Sequence, residues 1–160
     1  MNEAEHLYEL LNGFDTAMLV TRAADGQLHA RPMAVAELRA DADAYFVTSI
    51  DSPKIAEIES DADVLLTFQS ASRYAAVYGR VNIVQDRALI DRLWKETWKV
   101  WFPRGASDPS IALLRFDAEH GELWDNAGAR GVKYAIEAAK AYVRGDTAKT
   151  GPDQHRWVRL

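Results

Sequence analysis

The chain of 160 residues contains no cysteine. That excludes disulfides, thiolate-bound zinc, iron–sulfur ligation and a cysteine nucleophile. Basic charge is in deficit: Lys and Arg total 19 against 24 Asp and Glu, a formal net charge of −5. This balance does not supply the basic face that neutralising nucleic-acid phosphates requires. Long apolar runs are lacking too. Segments such as 17–20 (AMLV) and 111–114 (IALL) fall far short of the about 20 apolar residues that span a bilayer. They have the length of core strands. The N-terminal stretch carries Glu3, Glu5 and Glu9 before any Lys or Arg, whereas a secretory leader starts basic. The expectation is a soluble, cytoplasmic protein with no membrane and no nucleic-acid partner.

Catalytic signatures are missing as well. The chain has no phosphate-binding P-loop, no G-x-G-x-x-G and no G-x-S-x-G elbow, so no side chain is assigned as catalytic. His6, His29, His120 and His155 are scattered without ligand spacing, and no metal site is expected. The acidic pairs Asp41/Asp43 and Asp61/Asp63 read as turn formers.

What is present is the pattern of one globular domain, with 48% hydrophobic residues. The domain is expected over residues 1–145, followed by a polar tail over 146–160. Leu7, Leu10 and Leu11 recur at helical spacing within 3–12, with Gly13 as the C-terminal glycine. Strands are expected at 16–22, 27–38, 44–49, 64–69 and 74–85. Asp25-Gly26 marks the first hairpin, and Gly79 marks a bulge or bend in the fifth strand. Ser52-Pro53 opens a short helix over 53–60, with Ile55 and Ile58 facing inward. A helical period returns from Asp86 to Trp101, placing Trp94, Trp98 and Trp101 on one face. That stripe reads as core or dimer packing, or as the aromatic wall of a substrate cleft with Phe102 and the 103–109 loop. Two short strands, 111–116 and 122–124, are expected around a turn at Glu119-His120-Gly121. A final helix over 130–144 carries Val132, Ile136, Ala139 and Val143 on one stripe. Consecutive strands joined by tight turns indicate an antiparallel sheet with helices outside it. The first two strands read as apolar on both faces, with Met18 and Val20 against Ala17 and Leu19. This fits a barrel covered by helices or by a second subunit.

Two segments suggest a binding site. In Arg31-Pro32-Met33 a proline interrupts the ladder of a strand, marking an edge, a bulge or the approach of another group. In the segment 48–54 (TSIDSPK) a strand end delivers hydroxyls to a helix N-terminus that also carries Ser52 and Lys54. A lysine there is unfavourable for the helix dipole unless an anion lies between. Taken singly, each segment also reads as an ordinary edge strand and an ordinary capped helix. Together, Arg31 with Thr48, Ser49, Ser52 and Lys54 could hold a phosphate monoester, beside apolar strand surface suited to a flat ring.

The order and spacing of these motifs resemble the pyridoxamine 5′-phosphate oxidase-like flavoproteins, most of all the general stress protein branch. The resemblance rests on R-P-M at 31–33, F-x-T-x-x-x-S-x-K at 46–54, Gly79, Asp86, W-F-P-x-G at 101–105, Asp108-Pro109 and L-W-D at 123–125. It covers about residues 5–145. It implies a mainly β (α+β) fold: an antiparallel split β-barrel of about six to seven strands with flanking helices. It also implies a homodimer with flavin mononucleotide (FMN) in clefts at the subunit interface; flavin adenine dinucleotide (FAD) is the alternative. By this resemblance Arg31 reaches the flavin or its phosphate, and Pro32 and Met33 lie along the ring. Thr48, Ser49, Ser52 and Lys54 form the phosphate segment, and Gln69 and Trp124 approach the cofactor of the partner subunit. The R-x-H segment of true pyridoxamine phosphate oxidases is missing after Trp124, where residues 125–130 read DNAGAR, so that reaction is not expected. The resemblance implies a flavin-dependent oxidoreductase acting on a small molecule, or else a non-enzymatic flavin-binding stress protein. A split barrel holding a deazaflavin, or haem with His29 as axial ligand, is the remaining alternative.

Overall fold

The structure is a computed structural model, and it describes residues 2–145, 147 and 155–160; within the last helix the side chains of 129–134 and 137 are not described. In order, the elements are α1 (Glu3–Leu11), β1 (Thr16–Arg22), β2 (Leu28–Leu38), β3 (Ala44–Ser49), α2 (Pro53–Ser60), β4 (Asp63–Gln69) and β5 (Arg73–Val84). They continue with α3 (Arg87–Leu93), a 3₁₀ turn (Glu96–Val100), β6 (Ile111–Asp125), α4 (Ala129–Arg144) and β7 (His155–Arg159). The strands are ordered β3-β2-β1-β4-β5-β6-β7, all antiparallel, and β3 also pairs with β6. That pairing closes six strands into a barrel, and β7 extends the sheet beyond it. No described helix is long and apolar enough to cross a membrane.

Alternation builds the barrel. Along β1 the inward residues Ala17, Leu19 and Thr21 are buried, while Met18 and Val20 are half-exposed. The interior is filled by Leu19, Phe46, Leu66, Val77, Leu114, Phe116 and Leu123 among others, with Leu7, Leu10 and Leu11 of α1 and Ile55 and Ile58 of α2 packed into the same core. A second cluster joins Tyr45, Val47, Ile111 and Leu113 to Ile90, Leu93, Trp98 and Phe102. Residues 44–47 (AYFV) of β3 and 111–114 (IALL) of β6 are thus covered on both faces, and they read as unbroken apolar runs for that reason.

The early elements lie where the sequence places them. Asp25-Gly26 turns the first hairpin with Gly26 at φ +87°, and the side chains of Asp41 and Asp61 each accept a backbone N–H two residues on. Pro53 opens α2 as expected. Gly79 lies at a register shift between β5 and β6.

Several expectations are corrected. Gly13 does not take the left-handed cap position; α1 ends at Asn12 in right-handed conformation. The two strands expected around 119–121 are one strand of 15 residues. Gly121 turns no corner there. A Cβ on it would lie 3.0 Å from the Leu7 side chain, so the glycine admits α1 against the sheet. The helix expected over 86–101 breaks at Trp94, whose ψ of 133° is not helical. The three tryptophans therefore share no helical face: Trp98 is buried, Trp94 packs edge-on against it at 5.7 Å, and Trp101 is exposed. The tail ends in a strand, because Val158 alternates into the core while β7 pairs with β6. The remainder of the expected tail, Thr147 aside, lies outside the described residues, as does the Val132 side chain of the last stripe. Ile136 and Val143 of that stripe are exposed, so they do not cover the barrel.

Gly79 carries a severe steric constraint: a Cβ there would come within 2.2 Å of the Asp117 carbonyl oxygen and 2.9 Å of the Phe116 ring. Gly79→Ala should destabilise the fold by about 1–3 kcal/mol, the usual cost of overpacking. Chemical denaturation followed by tryptophan fluorescence would measure it; an unchanged midpoint would contradict the constraint.

Candidate functional site

A cavity of about 450 Å³ opens beside β2 and β3. Pro32, Met33 and Ala34 form one wall, and Val47, Thr48 and Ser49 the floor. Ser52 and Lys54 close one end, and Trp101 and Phe102 stand across the mouth. Six of the nine residues singled out from the sequence therefore meet here: Pro32, Met33, Thr48, Ser49, Ser52 and Lys54. Trp101 and Phe102 arrive from beyond the broken helix. They are held by consecutive turns through Gly105 and Asp108 and by Arg87, which donates to the carbonyl oxygens of Ala106, Asp108 and Ile111.

Lys54 sets the charge of the closed end. Its ammonium donates to Thr48 Oγ1 at 2.9 Å and to Ser52 Oγ at 2.6 Å. Ser52 therefore does not cap α2 with its side chain; its oxygen serves Lys54 instead. Burial, and after it the nearby Arg31 guanidinium, pushes the Lys54 ammonium below the usual lysine range, with Glu57 opposing. A half-buried cation, two hydroxyls and a helix N-terminus make an anion-accepting corner. The rest of the lining is apolar and includes two aromatic rings, which suits a flat organic ring.

Arg31 does not line the cavity. Its Nη2 donates to Glu57 Oε2 at 2.9 Å and its Nη1 to Thr21 Oγ1 at 2.6 Å. The Thr21 hydroxyl in turn donates to Glu57, and His29 Nδ1 lies 2.5 Å from the other Glu57 oxygen. Thr21, His29 and then Arg31 hold the Glu57 carboxyl down at about 2, against the effect of burial. This network escaped the sequence reading. One signal was available: Glu57 follows Lys54 by three residues, which puts both on one side of α2.

Gln69 and Trp124 lie elsewhere, but together. Across the sheet Gln69 pairs with Tyr74, Tyr74 with Trp124 and Trp124 with His155, all in one row. Trp124 stacks on His155 with ring centroids 4.8 Å apart. Two neighbouring rows run Pro32–Met18–Thr67–Ala76–Glu122–Trp157 and Ala30–Val20–Leu65–Tyr78–His120–Arg159. From β2 to β5 these outward side chains are small, apolar or aromatic, and they are half-exposed or exposed. Pro32 belongs both to this face and to the cavity.

Comparison with known proteins places the chain. The family described as pyridoxamine 5′-phosphate oxidase like matches residues 2–149. A general stress FMN/FAD binding protein of Xanthomonas citri is 33% identical, with 79% of this chain and 90% of that one covered and a TM-score of 0.67. A general stress family protein of Xanthomonas campestris is 32% identical over 81% and 93% of the two chains, with a TM-score of 0.66. Protein bli-3 of Neurospora crassa is 29% identical over 111 residues, 62% of this chain, and the matched segment spans about half (53%) of that protein. A general stress protein 26 of Jannaschia sp. CCS1, at 22% identity and a TM-score of 0.71 over the whole of both chains, shares the fold. The chain belongs to the pyridoxamine 5′-phosphate oxidase-like family.

Proposed function

We propose that this protein binds FMN in the cavity between β2, β3 and the N-terminus of α2 and works as a flavin-dependent oxidoreductase on a small molecule. The observation that carries the reading is the pairing of Lys54, Thr48 and Ser52 at one end of the cavity with an apolar, partly aromatic wall along the rest. That donor set fits a phosphate monoester joined to a flat ring system. The FMN/FAD-binding relative from Xanthomonas citri supports the same ligand. FAD carries the same first phosphate, but its second half would have to leave the cavity.

When bound, the flavin supplies electron transfer between a donor and a small-molecule acceptor. The protein's part is to bind and orient. Lys54 would hold the phosphate as a point charge, its ammonium oriented by donating to the hydroxyl oxygens of Thr48 and Ser52. Residues 32–34, which line the cavity, would offer an apolar wall to the ring, and the proline removes one N–H from the sheet ladder. Trp101 and Phe102 would present aromatic surface to the ring at the mouth. His29 is engaged with Glu57 and does not line the cavity, which speaks against an axial role toward haem.

A homodimer is part of this proposal. The half-exposed outer face of β1, β4 and β5 is wide and continuous with the cavity through Pro32. A second copy seated there would bury that face and bring its own Gln69–Tyr74–Trp124 row toward the cavity.

Four measurements test the reading. Purified protein should be yellow and release FMN on heating; a colourless, folded protein that takes up no added flavin would refute it. Lys54→Met should lower FMN affinity by about tenfold to a hundredfold, the worth of a charge-assisted bond, and leave riboflavin affinity nearly unchanged. Because the Lys54 ammonium titrates below the usual lysine range, the preference of wild type for FMN over riboflavin should decline as pH rises, before an ordinary lysine would deprotonate. Leu65→Glu, at the centre of the uncovered face, should give the mass of one chain by light scattering where wild type gives two. A wild-type monomer would remove the dimer from the proposal.

A further inference from the structure

We propose that Glu57 is a built-in counter-anion that competes with the phosphate of the ligand for Arg31, and so sets how much the site prefers a phosphorylated flavin over an unphosphorylated one. The inference rests on the flavin reading of the cavity and concerns the regulation of its charged end.

Both terminal nitrogens of the Arg31 guanidinium are engaged, one by Glu57 Oε2 at 2.9 Å and the other by Thr21 Oγ1 at 2.6 Å and, more distantly, the Leu19 carbonyl oxygen at 3.4 Å. Thr21 is almost wholly buried at 1% exposure and directs its own proton to Glu57. The three groups form a closed ring: Arg31 to Thr21, Thr21 to Glu57, and Arg31 to Glu57. His29 completes the carboxylate shell at the other oxygen. Glu57 follows Lys54 by three residues on one side of α2, and the charges of Arg31 and Glu57 both act on the Lys54 ammonium. Glu57 therefore lies beside the corner that would receive a dianionic group.

A carboxylate there has two opposite effects. With no anion bound, it offsets the mutual repulsion of Arg31 and Lys54 and keeps the corner stable. Toward an incoming phosphate it is a like charge, and it already occupies the cation that would otherwise add a bidentate contact. Phosphate must then draw Arg31 away from Glu57 or bind with Lys54 and the hydroxyls alone. In either case Glu57 lowers the phosphate-dependent part of the affinity and leaves the ring-dependent part alone. It is a positioning residue acting through Arg31.

Glu57→Gln keeps the shape and the capacity to accept from Arg31 and Thr21 while removing the charge. Affinities of the flavin-stripped full-length protein for FMN and for riboflavin would be measured by fluorescence quenching, with thermal unfolding of the same sample. Removing one unit charge from the neighbourhood should raise the FMN-to-riboflavin affinity ratio about five- to tenfold, with riboflavin affinity unchanged and the flavin-free protein less heat-stable. If Glu57→Gln does not fold, Glu57→Asp, which retracts the carboxylate by one carbon, should raise the ratio in the same direction by a smaller factor. A ratio that stays level or falls, or equal losses for both flavins, would overturn the role of Glu57 while leaving the cavity assignment standing. A wild-type protein that binds neither flavin would overturn both.

Discussion

The pairing of β3 with β6 is the constraint on which the rest depends. It turns an open antiparallel sheet into a closed barrel and so decides which strand faces the chain itself must cover. β3 and the first half of β6 acquire a second apolar layer from Ile90, Leu93, Trp98 and Phe102. The opposite wall, formed by β1, β4 and β5, keeps its outward side chains half-exposed. The cavity lies on the line where self-covering stops: Val47 and Phe102 belong to the covered side, Pro32 to the other. The site is thus a product of incomplete coverage of the barrel.

Closure also brings polar groups from separate elements to one end. Thr21 ends β1 facing inward, Arg31 and His29 come from β2, and Glu57 and Lys54 come from α2, which packs into the barrel core through Ile55 and Ile58. Charges this close in partly buried surroundings are stable only when each has a partner. The network meets that condition with one carboxylate shared among three donors.

How much of this was legible depended on whether the cause was local. The hairpins and the start of α2 follow from turn and capping residues, which act within a few residues. The cavity residues from 32 to 54 could be found because strand, loop and helix deliver them in one short stretch. Failures came where tertiary contacts decide. Gly121 looks like a turn glycine but serves the approach of Leu7. The 86–101 segment keeps a helical period, yet Trp98 enters the second core while Trp101 leaves for the cavity mouth, and Trp94 breaks the helix to allow it. The Thr21–Arg31–Glu57 ring joins three elements, so no sequence window contains it. Arg31 was singled out as a site residue, but its partner Glu57 was not.

β6 is longer than the barrel needs, and its second half runs past β3. An uncapped strand of that length would present a row of backbone donors and acceptors, the kind of template on which identical chains stack into fibres. The last residues of the chain occupy that row. β7 pairs with β6 from His120 to Trp124 and places Arg156 and Arg159 along the new border, where charge opposes further strand addition. The C-terminal strand thereby acts as a solubility guard for the strand that closes the barrel.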